Sequence, residues 1–278
     1  MFDYNSIVSS DELTMEFERS SEISIIAKDA KTGCEAGLIQ IEGCTLNPSS
    51  DDILLQYKLW NTRPERLVGK KVDIEGTSLG QLIDIYEELF IGAYILTQHA
   101  EVKAPIKSNK FVYAIDWLRT TDFYNAPAST KYHESFPGGL LVHSLKVYNK
   151  MIDLLAANEF KNVSIADATM VALVHDWCKI HFYEAYNKNV KNEATGQWEK
   201  ETAYKVNQKG LPLGHGTTSL YLASLLMKLT PDQALAIRWH MGEYNVADNE
   251  INELQKANAT CPMVYLIQFA DRLACTEF

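Results

Sequence analysis

From about Ser108 to the C-terminus, apolar residues recur every three or four positions in one segment after another, and histidine and aspartate interrupt those stripes. Such spacing puts residues on one helical face, the face a globular chain buries. The segment LLVHSLKVYNKMIDLLAA sets Leu140, His143, Val147, Met151 and Leu154 on one stripe. A helix opening at Ser164, with Asp167 at the acidic position of a capping-box-like pattern, runs through MVALVHDWCKI and brings in His175 and Asp176. Thr230, Pro231 and Gln233 supply a cap, a first-turn proline and a capping-box glutamine for a helix holding Ile237, His240 and Met241 and stopping near Gly242. The last helix follows Pro262 and sets Asp271 four residues after Ile267 and three before Ala274. His215 stands just ahead of a further helix, between Gly214 and Gly216. The pattern predicts a mainly α bundle with imidazoles and carboxylates on its inner faces.

Each of these residues has a plain structural reading. Taken singly, His143 or His240 is more often a hydrogen-bonded core histidine than a ligand. His215 can be a loop residue, and Asp271 can pair with Arg272. Together they are harder to explain by packing, because a buried carboxylate is costly unless it is paired or bound to a metal. Two carboxylates and four imidazoles converging in one bundle form an N/O donor set suited to divalent metals. On a helix, adjacent His175 and Asp176 would point about 100° apart, so both could reach an ion lying over that turn. Lys179, four residues from His175, would lie one turn along the same face and could approach a phosphate oxygen as a point charge; a solvated lysine is the plain alternative. Cys178 reads as a packing residue, since a thiolate beside Asp176 is electrostatically disfavoured.

The remainder of the chain is less informative. In the N-terminal part, SEISIIAKDA and AGLIQIEGCTL read as strands around the turn KTGCE, LNPSSDD as a loop, and LGQLIDIYEELFIGAYIL as a helix. Residues 182–209 read as an inserted β-hairpin around EATG. Residues 1–105 hold 18 acidic against 9 basic side chains, whereas 106–278 are nearly balanced within a net charge of −10. That balance disfavours broad electrostatic capture of nucleic acid. No stretch approaches the roughly 18 apolar residues of a membrane span. Five cysteines without a CxxC pair, and an N-terminus lacking the order of a secretory signal, suggest a reduced, cytoplasmic protein.

HSLKV, VHDWCK and FADRLA, in that order, resemble the HD-domain metal-dependent phosphohydrolase superfamily, whose signature is a His, a His-Asp doublet and a distant Asp. By that resemblance His143, His175, Asp176 and Asp271 would bind a first metal. His215 in PLGHG and His240 in RWHMG are similar to the extra histidines of branches that hold two ions, with Asp176 as the bridge. Where the family pattern has an apolar residue and Gly between doublet and lysine, this chain has Trp177 and Cys178. The segment YHESFPGGLLVHS is similar to one in bacterial exoribonucleases that join an OB fold to an HD domain, which marks His133 as a substrate-side group.

The expectation is therefore an acidic α+β region over 1–105, of unassigned role, followed by a helical HD domain over 106–278. The resemblance implies hydrolysis of phosphate esters in nucleotides or related small molecules with one or two divalent ions (Mn, Fe, Co, Ni, Zn or Mg). Asp176 and Lys179 would be catalytic, and Lys179 and His133 would contact substrate. A 3′–5′ exonuclease or cyclic-nucleotide phosphodiesterase, and a catalytically silent nucleotide-binding module, are the rival readings.

Overall fold

A computed structural model describes residues 13–19, 23–29, 35–41, 67–99, 110–157, 160, 162–207, 210–244 and 246–276. The boundary expected at 105/106 and the loop LNPSSDD lie outside these residues. The chain divides into two compact units. The first contains a three-stranded antiparallel meander, β1 (Leu13–Arg19), β2 (Ile23–Asp29) and β3 (Glu35–Ile41), in that spatial order. Two of these strands fall within the segments expected to be extended. The third, β1, went unread.

The second unit is mainly helical. Among the described residues it comprises α1 (Leu79–His99), α2 (Lys110–Thr120), α3 (Gly139–Ala156), α4 (Ile165–Val174), α5 (His215–Leu226), α6 (Pro231–Arg238), α7 (Ile251–Thr260) and α8 (Pro262–Ala274). An antiparallel hairpin, β4 (Tyr183–Lys191) and β5 (Trp198–Val206), interrupts the helices as expected. Its turn is set by Asn192, whose side chain accepts from the amides of Ala194 and Thr195. No described helix is long and apolar enough to cross a membrane.

Helix α3 forms the spine, packing against α4 and α8, while α1 lies along α4. Leu140, Val147 and Met151 are fully buried, as the stripe requires. Capping follows the sequence: Ser164 accepts from the Asp167 amide, and Thr230 with Gln233 forms the full capping box. Helix α1 brings an aromatic cluster to the core, with Trp177 stacked on Phe90 at 6.0 Å. The Trp177 indole donates to the Tyr86 hydroxyl (3.1 Å), which donates to the Leu173 carbonyl (2.7 Å). These bonds clamp the chain on both sides of His175 and Asp176.

Two expectations about helix extent need correction. The His-Asp doublet is not inside a helix: α4 ends at Val174, His175 is its C-cap, and Asp176 (φ −107°, ψ 19°) leads into a 3₁₀ turn over Trp177–Lys179. Likewise α6 stops at Arg238, and His240 lies in the turn that follows. His175 keeps helical dihedrals, and the chain leaves helical geometry at Asp176 and, ahead of His240, at Trp239.

Candidate metal centre

His143 projects from the middle of α3 and is completely buried. Around it converge His175 and Asp176 from the end of α4, His240 from the turn after α6, and Asp271 from α8. His143 Nε2 lies 3.1 Å from Asp271 Oδ1 and 3.4 Å from Asp176 Oδ2. His175 Nε2 is 3.5 Å from Asp176 Oδ2 and 4.0 Å from Asp271 Oδ1, and His240 Nε2 is 3.5 Å from Asp176 Oδ1. The two carboxylates thus sit among three imidazoles. His143, His175 and Asp176 each offer a ligand atom within 4.8 Å of the others, a cluster that could hold a metal ion.

The imidazole tautomers are dictated by their other nitrogens. His175 Nδ1 lies 2.8 Å from the Ala172 carbonyl, and His240 Nδ1 lies 2.8 Å from the Ile237 carbonyl. A carbonyl only accepts, so both Nδ1 atoms carry a proton, and in the neutral rings both Nε2 atoms present lone pairs. Those Nε2 atoms, with His143 Nε2, are buried without a hydrogen-bond partner. His143 Nδ1 faces Glu134 Oε2 at 3.7 Å, while Lys146 donates to Glu134 Oε1 at 2.6 Å. For His175 and His240, anchoring one ring nitrogen on a carbonyl and freeing the other is how proteins orient metal-ligating histidines.

Electrostatics agree with the geometry. Burial opposes a charged His143, yet the carboxylates of Asp176, Asp271 and Glu134 outweigh it and raise its pKa to about 10. Burial likewise opposes ionisation of Asp176, but Lys179 and the histidines hold it well below the usual carboxylate range, and His143 does the same for Asp271. His240 is raised by Asp176 against the effect of burial. A carboxylate pair that favours positive charge this strongly also suits a divalent cation.

Lys179 is buried, not solvated: its Nζ lies 2.6 Å from Asp176 Oδ2. His215 begins α5 and stands on the far side of Cys178, its Nδ1 being 3.4 Å from Cys178 Sγ. Burial lowers its pKa. Cys178 is itself buried, and burial together with Asp176 pushes its thiol up to about 12. His133 stacks obliquely on His143, with ring centroids 4.8 Å apart, and burial lowers its pKa to about 4.

Close backbone approach explains how these pieces are held. A Cβ on Gly139 would run into the Glu134 carbonyl, so only glycine lets the 128–134 loop lie against the start of α3. A Cβ on Gly216 would collide with the Arg238 carbonyl, so glycine also brings α5 against the end of α6. Glu134 and Cys275 are site neighbours that the sequence reading passed over. The signal for Cys275 was present, four residues after Asp271 on the same helical face. Glu134 offered none, being a loop residue at φ 40°.

Beside the cluster, Trp117, Cys178, Phe182, Leu211, His215 and Leu222 line part of a cavity of about 580 Å³. Cys178, which lines this cavity, has its Sγ 3.9 Å from Asp176 Oδ1. Comparison with protein-family models, curated proteins and solved structures yields no match.

Proposed function

We propose that this protein is an HD-type metal-dependent hydrolase of phosphate esters in nucleotides or related small molecules. The observation carrying the reading is the convergence of three buried, unpartnered Nε2 atoms on two carboxylates. The donor set fits a divalent ion held by His143, His175, Asp176 and Asp271, with His240 on the free side of Asp176 and His215 beyond it. When bound, such an ion would supply Lewis acidity toward water and phosphoryl oxygens.

The chain's own residues would do the rest. Asp176 would fix the ligand geometry and Lys179 would hold negative charge next to it. The buried Nζ, paired with Asp176, is positioned to shift toward a phosphate oxygen without first being stripped of bulk water. His133 would face the substrate from the 128–134 loop. The adjoining cavity lies within the size range of small-molecule sites and would take the organic part of the ester.

A small substrate is favoured over a strand of nucleic acid. Of the hairpin lysines that could line a groove, Lys188 pairs with Glu201 (3.0 Å) and Lys205 with Glu184 (3.3 Å), which cancels part of their charge. The test is metal analysis of protein purified without chelator, joined to a panel of phosphomonoesters, cyclic nucleotides and oligonucleotides. Bound transition metal and metal-dependent release of phosphate, both lost in Asp176→Ala, are expected. Full metal content in that variant would overturn the site. Metal binding without turnover on any member of the panel would favour the silent binding module.

A further inference from the structure

The cluster does not end at His143. On the side away from His175 and His240, ligand atoms of His133, His143 and Cys275 lie within 4.8 Å of one another. Cys275 Sγ is also 3.8 Å from Asp271 Oδ1, because residues four apart share a face of α8 and its C-cap. His133 Nε2 is buried and has no hydrogen-bond partner, as has Glu134 Oε2 beside it.

The loop carrying His133 is built rather than loose. Ser129 Oγ donates to the His133 carbonyl (2.7 Å) and accepts from the Tyr132 amide (2.9 Å). The Ala128 amide donates to the Glu134 carbonyl at 3.0 Å. The imidazole is therefore held against His143 by a braced backbone, with a nitrogen left free. An orphaned buried imidazole nitrogen facing a thiol and another imidazole is the signature of a ligand set.

We propose that His133, His143 and Cys275, with the adjoining carboxylate of Asp271, form a second, thiolate-containing site for a zinc-type divalent ion. The inference rests on the reading above in that His143 and Asp271 belong to both sets, and since a neutral imidazole has one lone pair the two positions are alternatives for one ion. Its chemistry differs from that of the neighbouring cluster, which offers only nitrogen and oxygen. A sulfur donor shifts preference toward zinc and cobalt and away from magnesium or manganese. On binding, the Cys275 thiol releases its proton to solvent and the thiolate becomes the ligand. The site stands at the end of α8, where Cys275 is only partly buried, so an ion can arrive from that side.

Titration of the full chain with Co²⁺ tests this directly, because thiolate ligation gives an intense charge-transfer absorption in the near ultraviolet. The band is expected in the wild type and in Cys178→Ala. It should vanish in Cys275→Ser and fall several-fold at equal Co²⁺ in His133→Ala. Cys275→Ser nearly conserves volume at a partly exposed helix end, and its fold is checked by circular dichroism. Alkylation of Cys275 by iodoacetamide in the wild type, mapped by peptide mass spectrometry, should slow at least tenfold with Zn²⁺ present. Co²⁺ bound without the band, a band that persists in Cys275→Ser, or alkylation indifferent to Zn²⁺ would overturn the second site while leaving the N/O cluster standing. A chain that binds no Co²⁺ at all would overturn both.

Discussion

Replacing Lys179 by Met removes a buried positive charge while keeping the length of the side chain. Lys179 is 9% exposed and Asp176 3%, and their charged atoms are 2.6 Å apart. Deleting one partner of such a pair strands the other, at a cost of about 3–5 kcal/mol. His143 offsets part of this, since its raised pKa lets it stay charged beside Asp176, which puts the expectation near ~3 kcal/mol. For a folding unit of this size each kcal/mol moves Tm by roughly 2–4 °C, so the helical transition should drop by about 6–12 °C in the presence of a chelator. A divalent ion bound at 100 times its Kd stabilises by about 2.7 kcal/mol and supplies charge where Lys179 supplied it. The variant, lacking its own charge there, should bind the ion more tightly and gain more from it, so the two proteins should differ less at one saturating metal concentration than with chelator. Thermal unfolding followed by the helical circular dichroism signal, with EDTA and with Mn²⁺, makes the measurement. A chelator-state difference below about 2 °C, or one that metal leaves unchanged, would refute the picture of a desolvated charge cluster.

Other perturbations probe the scaffold and the substrate. Trp177→Ala empties a fully buried site against Phe90 and Trp117 and unties Tyr86, which should cost about 3–5 kcal/mol in urea unfolding and weaken metal binding by loosening Asp176. Gly216→Ala drives a Cβ into the Arg238 carbonyl and should destabilise by roughly 1–3 kcal/mol, and the displaced α6 end should carry His240 with it and lower activity further. Oligonucleotide retention should be weak and unaffected by deletion of the β4–β5 hairpin. Tight, salt-sensitive binding that disappears with the hairpin would instead favour the exonuclease reading.

The helical architecture was legible because burial imposes a period. Leu140, Val147 and Met151 pack as the stripe in LLVHSLKVYNKMIDLLAA demands, and the caps at Ser164 and Thr230 begin helices where their side chains reach back to the right amides. The missed strand β1 alternates Leu13, Met15 and Phe17 with Thr14, Glu16 and Glu18, but at seven residues the alternation is short and went unread. Long-range ties left no trace along the chain. Nothing local relates Tyr86 to Trp177, 91 residues apart, or Glu87 to Arg119, whose guanidinium bonds both carboxylate oxygens at 2.9 and 2.6 Å. Those partners become visible only when α1 is laid on the core.

The centre itself divides along the same line. Periodicity could place His143 and Asp271 on inner faces because each lies within a regular helix, His143 in the second turn of α3 and Asp271 in the last turn of α8. It misplaced His175, Asp176 and His240, because helix ends are decided by dihedral angles and by what the last carbonyls can bond to. The errors share one cause and have a consequence for chemistry. At these helix ends the rings of His175 and His240 fold back and donate Nδ1 to the carbonyls of Ala172 and Ile237, three residues earlier. Those bonds select the Nδ1–H tautomer and leave each Nε2 toward Asp176. In the proposed centre this tautomer is what would make the two histidines ligands rather than core residues.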